Sequence, residues 1–152
     1  MISIRACSVA EIESASSFKD LLAEYAGESA IEGLPPPSAR MPFYYALEKT
    51  GAFSVYGAFE EEDLIGFITV LTSVLPHYST TVAVTESFFV ASQHRDTGAG
   101  LKLLREAEDY AKERGSPGLL VAAPAGGSLA MVLPGIGYVE TTRAFFRKFG
   151  NE

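Results

Sequence analysis

The residues with the clearest chemical meaning form one stretch from Val90 to Gly100, with the sequence VASQHRDTGAG. An apolar run ends at Val90, a polar loop with two glycines follows, and a helical pattern begins at once. Glycine lets the backbone approach a ligand closely. The free N–H groups and the dipole at a helix start then favour an anion. The stretch therefore predicts a site for a phosphate or a pyrophosphate.

Two common phosphate-binding motifs are excluded at this site. The loop has no Gly-Lys-Ser or Gly-Lys-Thr, so it is not a Walker-type loop. It also lacks the full G-x-G-x-x-G pattern, which argues against a dinucleotide-binding fold.

Glu86 is the candidate for acid–base chemistry, because it lies in the apolar stretch just before the loop. Alternation along a strand places it on the same face as Val82, Val84, Phe88 and Val90. A carboxylate among apolar neighbours suits a general base that deprotonates an ammonium substrate. The alternative interpretation is a carboxylate that only accepts hydrogen bonds within the sheet.

Composition and length indicate one globular domain over residues 1–152, with 47% hydrophobic and 20% charged residues. No run of about 18 apolar residues is present, so no membrane-spanning helix is expected. The first residues lack the pattern of a signal peptide, and the single cysteine, Cys7, fits a reducing cytoplasm. His77 and His94 lie in different predicted loops, so no metal site is expected.

The formal net charge is −7, and the first 63 residues carry the whole acidic excess. Phosphate contacts need Lys and Arg, so the sequence argues against a nucleic-acid partner. The acidic front half either attracts a cationic ligand or only keeps the surface soluble.

The hydrophobic patterns predict the element order β-α-α-β-β-β-α-β-α-β, which is a mixed α/β sheet with helices on its faces. The first helix is expected from Ser8 to Gly27, with Ser8 and Glu11 as a capping box. A loop is expected at 28–37, and the other helices at 39–49, from 101 to about Gly115, and at 127–133. Strands are expected at 2–7, 52–59, 64–74, 81–90, 118–123 and 138–149.

The pattern Arg95-x-x-Gly98-x-Gly100, after a strand that ends at Val90, resembles motif A of the GCN5-related N-acetyltransferases, Arg/Gln-x-x-Gly-x-Gly/Ala. Gly137-Tyr138 resembles the late Gly-Phe/Tyr pair of that family. The element order matches over nearly the whole chain. The later half is also similar to acetyltransferases of Mu-like phages and prophages.

The resemblance implies an acyl-CoA N-acyltransferase fold, an α+β arrangement in which a mostly antiparallel sheet is splayed between strands 4 and 5. Acetyl-CoA would bind in that notch as co-substrate. Its pantetheine arm would pair with the backbone of Phe88, Phe89 and Val90. Its pyrophosphate would lie on the N–H groups of Arg95, Asp96, Thr97, Gly98, Ala99 and Gly100.

The resemblance also implies roles for single residues. Glu86 would be the general base, directly or through water, and an amine would approach along residues 25–50. Ser128 either bonds the cofactor or a water, or is a helix N-cap. The tyrosine that serves this family as general acid would fall at Leu133, which cannot give a proton.

Two functions therefore stay open. The first is an N-acetyltransferase in which a primary amine of a small molecule or peptide attacks the thioester directly in a ternary complex. The second is a CoA-binding or protein-interaction module that keeps the fold without turnover, and the leucine at 133 is its support. Tyr44 and Tyr45 either line the acceptor pocket or pack in the core. Members of the family are often dimers, so the resemblance includes a homodimer as one option.

Overall fold

The computed structural model describes residues 1–35 and 41–150, and a five-stranded sheet forms its centre. The first four strands are antiparallel neighbours in chain order, and the fifth joins the fourth in parallel. This confirms the mixed sheet that the hydrophobic patterns predict and the mostly antiparallel arrangement that the resemblance implies. The strands are β1 (Ile2–Cys7), β2 (Phe53–Glu60), β3 (Asp63–Leu75), β4 (Thr80–Val90) and β5 (Leu119–Leu120).

Helices cover both faces of the sheet, as predicted. They are α1 (Val9–Ser14), α2 (Phe18–Ser29), α3 (Met41–Lys49), α4 (Ala99–Glu113) and α5 (Ser128–Val132). Buried residues of α4, among them Leu103, pack with Ile68 and Val70 of β3 on one face. On the other face, α1 and α2 bury Ile12 and Leu21 against β2, β3 and β4. Each such buried side chain contributes about 1.5–3 kcal/mol to folding.

The splay between β4 and β5 begins soon after the two strands meet. They pair only at Ala83 with Leu119 and at Val84 with Leu120. The amide of Ala122 then donates to the hydroxyl of Thr85 (3.2 Å) instead of to the β4 backbone. In the part of the chain that the structure describes, no strand pairs with the β5 side of residues 86–90. That stretch of β4 therefore has a free edge beside the glycine loop.

The single helix predicted between Ser8 and Gly27 is wrong, because the structure breaks it into α1 and α2. The capping box at Ser8 and Glu11 is confirmed. Ala15 is extended (ψ 135°), and the Ser17 hydroxyl donates to the carbonyl of Leu64 (2.7 Å). Serine side chains that bond to backbone outside the helix compete with helix continuation.

Two boundaries near the following loop also differ from the prediction. Helix α2 continues past Gly27 to Ser29, so the predicted loop at 28–37 starts later. Residues 36–40 lie outside the described residues, including the predicted helix start at 39–40 and the end of that loop.

The last predicted strand, 138–149, is absent from the sheet. These residues form no ladder with β5, and residues 139–149 are exposed. A strand needs a neighbouring edge to bond to, and no described strand pairs with these residues. The predicted strand at 118–123 is reduced to β5 because it diverges from β4.

None of the helices within residues 1–35 and 41–150 is long and apolar enough to cross a membrane.

Candidate active site

A bulge in β4 shapes the centre of the site. Thr69 of β3 pairs with Ser87, but the next residue of β3, Val70, pairs with Thr85. Glu86 is therefore the extra residue that has no partner in β3. A bulge of this kind redirects side chains locally and is frequent beside functional sites.

The bulge corrects the predicted face of Glu86. Phe88 and Val90 belong to the cluster under α4. Glu86 instead bonds to Tyr44 of α3, on the opposite face. Simple alternation gives the wrong face here, because one extra residue moves every later side chain of the strand to the opposite face of the sheet.

Hydroxyl groups hold the Glu86 carboxylate from two sides. Tyr44 donates to Oε2 and Thr69 donates to Oε1, each at 3.0 Å. Since the Thr69 proton points to Glu86, the Ser87 hydroxyl donates to Thr69 Oγ1 across 2.7 Å. The expected apolar surroundings are wrong: Glu86 is exposed and accepts hydrogen bonds. Its position fits a base that meets solvent and substrate.

Two tyrosines on the same face stay protonated near this carboxylate. Burial and then the charge of Glu86 raise the pKa of Tyr25. Burial and then Glu86 also raise the pKa of Tyr44, well above the usual tyrosine value. The Tyr25 ring packs edge-on against Phe67 and Phe89, with centroids 6.0 and 5.6 Å apart. Both phenols therefore keep their protons, and the Tyr44 hydroxyl donates to Glu86.

The glycine loop has the geometry of an anion site. Gly98 is the N-cap of α4 and has φ +84°, a conformation that favours glycine. The amide of Lys102 is the first to bond back into the helix, to the Gly98 carbonyl (3.1 Å). The amides of Gly98, Gly100 and Leu101 have no acceptor among the described residues. These N–H groups are available at the positive end of the helix dipole.

The remaining loop residues fix this conformation. The Thr97 hydroxyl donates to the carbonyl of His94 (2.6 Å) and accepts from the amide of Ala99 (3.3 Å). Ala99 is fully buried, whereas Asp96 is exposed. Thr97 and Ala99 thus anchor the loop, and their own amides are used in it, since the Thr97 amide donates to the carbonyl of His94 (3.3 Å).

The Arg95 side chain points away from the free amides. Its Nε donates to the carbonyl of Val90 (2.8 Å), and its Nη2 donates to both oxygens of Glu28 (2.7 and 2.9 Å). The carboxylate of Glu24 accepts from the amide of Ser92 (2.8 Å). Arg95 therefore ties the loop to α2, which is a role that its place in the motif did not reveal.

The predicted pantetheine-binding residues, Phe88 to Val90, line the free edge of β4 with backbone. Phe89 is buried beside Tyr25, and Val90 is buried toward α4. Phe89 and Val90 therefore leave only main chain at this edge, whereas the Phe88 side chain is half-buried and the Val90 carbonyl already accepts from Arg95.

Ser128 and Leu133 follow the splay in the chain, and the resemblance assigns a position to each. Ser128 is exposed, and Gly127 is the N-cap of α5, so the N-cap interpretation of Ser128 is wrong. Leu133 is buried at 8% exposure. It offers only hydrocarbon at the place of the family's tyrosine.

Sequence analysis missed two residues of the site, Tyr25 and Thr69. It also missed the hydrogen bond from Tyr44 to Glu86. Thr69 has a readable signal, since it is a polar residue inside the apolar run LIGFITVL and lies opposite Ser87. Tyr25 and Tyr44 come from separate helices, and only the tertiary fold brings them to β4. Within the described ranges, no group of His, Cys, Asp and Glu is arranged to hold a metal ion.

Comparisons with known proteins identify the family of the chain. The model of the acetyltransferase (GNAT) family matches residues 17–129. No curated protein sequence matches the chain.

Several solved structures share the fold at low sequence identity. A ribosomal-protein-alanine N-acetyltransferase from Brucella melitensis biovar Abortus 2308 has TM-score 0.73 and 20% identity, over 99% of this chain and 100% of the other. AAC(6')-Iy in complex with a CoA bisubstrate analogue has TM-score 0.75 and 17% identity, over 99% of both chains. Glucosamine-6-phosphate N-acetyltransferase from Arabidopsis thaliana has TM-score 0.73 and 14% identity, over 99% of both.

Proposed function

Because the chain belongs to the acetyltransferase (GNAT) family, we propose that it transfers the acetyl group of acetyl-CoA to a primary amine by direct attack in a ternary complex. One observation carries the proposal. Glu86, held by two hydroxyls, lies on the same strand as the free edge at residues 86–90, and that strand leads directly into the loop with unbonded amides. The candidate base therefore lies on the strand, and the candidate anion site follows at the end of that strand.

The residues fit acetyl-CoA, which supplies an electrophilic thioester carbonyl when it is bound. The amides of Gly98, Gly100 and Leu101 would hold the pyrophosphate. The free edge of residues 86–90 would pair with the pantetheine arm as an added strand does. N–H groups on that edge would polarise the acetyl carbonyl.

Glu86 would accept the proton of the incoming ammonium group, directly or through one water. The hydroxyls of Tyr44 and Thr69 keep its carboxylate in one orientation. Leu133 gives no proton to the departing thiolate, which leaves water as the donor. The acceptor would enter from the side of α2 and α3, where Tyr25 and Tyr44 face Glu86.

Acetyl-CoA binding is tested first, by calorimetry on the wild type and on Gly98→Glu. A side chain and a negative charge at Gly98 should abolish binding. Gly115→Glu is the matched control, because Gly115 also has positive φ (+79°) and open space, at the other end of α4. Loss of binding in both variants, or in neither, contradicts the loop assignment.

Turnover is tested by release of free CoA thiol with a panel of amines. The panel contains an aminoglycoside, glucosamine 6-phosphate and a peptide that begins with alanine, which are the acceptor types in the names of the similar structures. Glu86→Gln should lower kcat/KM by about 10²- to 10⁴-fold and leave acetyl-CoA affinity unchanged. Tight binding with no acetylation of any amine would favour the interaction module instead.

A further inference from the structure

Helix α2 holds the start of the glycine loop with two carboxylates that lie one helical turn apart. Glu24 accepts a hydrogen bond from the amide of Ser92 (2.8 Å), and Glu28 accepts from Nη2 of Arg95 (2.7 and 2.9 Å). Side chains four residues apart lie on the same face of a helix. The two acids therefore form one surface of α2 that contacts both ends of the segment 92–95.

The Arg95 side chain is engaged on this side of the loop by more than the ion pair. Its Nε donates to the carbonyl of Val90 (2.8 Å), and its Nη2 lies 4.0 Å from Oε2 of Glu24. Its guanidinium carbon lies 5.1 Å from the centre of the Phe89 ring, within the range of a cation–π contact. These contacts leave the guanidinium group committed to α2 and to the end of β4.

The charges around Arg95 do not favour an anion. Two carboxylates, those of Glu24 and Glu28, lie within 4.0 Å of one guanidinium group, so negative charge is in excess there. Arg95 is only three residues before Gly98, the N-cap of α4. An acid beside an anion site weakens anion binding by repulsion unless it contributes in another way. The contribution that the structure shows is a fixed conformation of residues 92–95.

We propose that Glu24 and Glu28 are positioning residues for the glycine loop, and that Arg95 acts on acetyl-CoA through them, without contact to its phosphates. This inference rests on the proposed function, because it concerns the loop that would hold the pyrophosphate. The acids keep the loop in its binding conformation before the cofactor arrives, so binding costs less conformational entropy. They do not touch Glu86, and the chemical step is independent of them.

The first experiment shortens the two acids and keeps their charge. In the double variant Glu24→Asp with Glu28→Asp, the carboxylates no longer reach Ser92 and Arg95, whereas their repulsion of an anion is unchanged. The Kd of acetyl-CoA, measured by calorimetry, should rise about 3- to 10-fold, and kcat with saturating substrates should stay the same. Glu32→Asp is the matched control, because Glu32 is an exposed acid just after α2, and it should keep the wild-type Kd.

A double-mutant cycle on the Kd of acetyl-CoA tests the indirect role of Arg95. Arg95→Met should weaken binding, and adding Glu28→Asp to Arg95→Met should weaken it no further, because the contact between the two residues is already lost. If Arg95 bound the phosphates directly, the two losses would be independent and would multiply. Multiplying losses therefore overturn the proposal.

Amide hydrogen exchange of the free wild type gives an answer that needs no variant. The Ser92 amide lies between β4 and α4 and should be protected by its hydrogen bond to Glu24. Exchange as fast as in an unfolded peptide overturns the positioning role. A wild type that does not bind acetyl-CoA overturns both this inference and the proposed function. Tight binding that is equal in the wild type and in the double aspartate variant overturns this inference alone.

Discussion

The Tyr44 hydroxyl on α3 donates a hydrogen bond to Oε2 of Glu86, across 3.0 Å and 42 residues of sequence. The partner on the other oxygen is Thr69, a neighbour within the sheet. The base proposed for the reaction is thus oriented jointly by the strand next to it and by a helix on the acceptor side. Movement of α3 would change the direction of the carboxylate.

This contact makes Tyr44 a positioning residue whose loss should affect turnover and not cofactor binding. Tyr44→Phe removes one of two donors to Glu86, and we expect kcat/KM to fall by about 10-fold, which corresponds to the roughly 1.5 kcal/mol of a hydrogen bond to a charged group. Steady-state kinetics with the best amine of the panel, together with calorimetry for acetyl-CoA, measure the two effects separately.

Tyr45→Phe is the control for this experiment. Its hydroxyl bonds to Glu13, on a different part of the surface, so the substitution should leave kcat/KM unchanged. An equal loss of kcat/KM in both variants would mean that any substitution in α3 lowers activity. The hydrogen bond from Tyr44 to Glu86 would then not be the cause.

The Arg95–Glu28 ion pair should stabilise the loop only modestly. The two side chains are 35% and 44% exposed, and solvent weakens the attraction. We expect a coupling of about 0.2–1 kcal/mol in a double-mutant cycle of Arg95→Met and Glu28→Gln, measured by denaturant unfolding. Glu32→Gln in place of Glu28→Gln should show no coupling with Arg95. A coupling as large for Glu32 would assign the effect to overall charge.

The first four strands, the capping box and the helix that follows the glycine loop could be predicted because their signals are local. The spacing of Gly98 and Gly100 after Val90 is enough to place free amides at a helix start. The direction of the Arg95 side chain could not be predicted in this way. It depends on acidic residues of α2, which lie about 70 residues earlier in the chain.

Two predictions, the face of Glu86 and the strand at 138–149, are wrong for related reasons. A bulge inserts one residue into one strand and leaves no mark in the alternation of that strand. Residues 138–149 are predicted as a strand, yet pairing depends on a neighbouring strand edge that the side chains alone do not reveal. A period-2 pattern of side chains indicates which residues share a face of a strand. It does not indicate which strand the backbone forms hydrogen bonds with.

Gly66→Ala should damage the β3–β4 pair beside the cofactor edge. A Cβ at Gly66 would lie 2.7 Å from the carbonyl oxygen of Phe89 and 3.0 Å from Cγ2 of Val90. The backbone of β4 would have to shift to relieve the first contact, and such a shift costs free energy of folding. We expect a loss of about 1–3 kcal/mol in unfolding free energy and weaker acetyl-CoA binding. Gly27→Ala, which has open space in α2, should instead stabilise by about 0.5–1 kcal/mol. A neutral Gly66→Ala would show that the strands are not in close contact there.

Tyr138 should make stability depend on pH in the alkaline range. Its hydroxyl donates to Glu108 Oε2 at 2.6 Å, and burial followed by this hydrogen bond raises its pKa well above the usual value. The folded state therefore favours the protonated phenol. This contribution is complete below the unfolded pKa of about 10 and is lost as pH rises through the higher folded value.

The expected result follows from that sign. The unfolding free energy of the wild type should fall as pH rises above about 10, and Tyr138→Phe should show a shallower fall together with a loss of about 1 kcal/mol at neutral pH. Denaturant unfolding between pH 7 and pH 11 measures both quantities. Tyr78→Phe, at an exposed turn, should keep the wild-type slope. Parallel curves for the wild type and Tyr138→Phe would show that the hydroxyl of Tyr138 does not link folding to proton release.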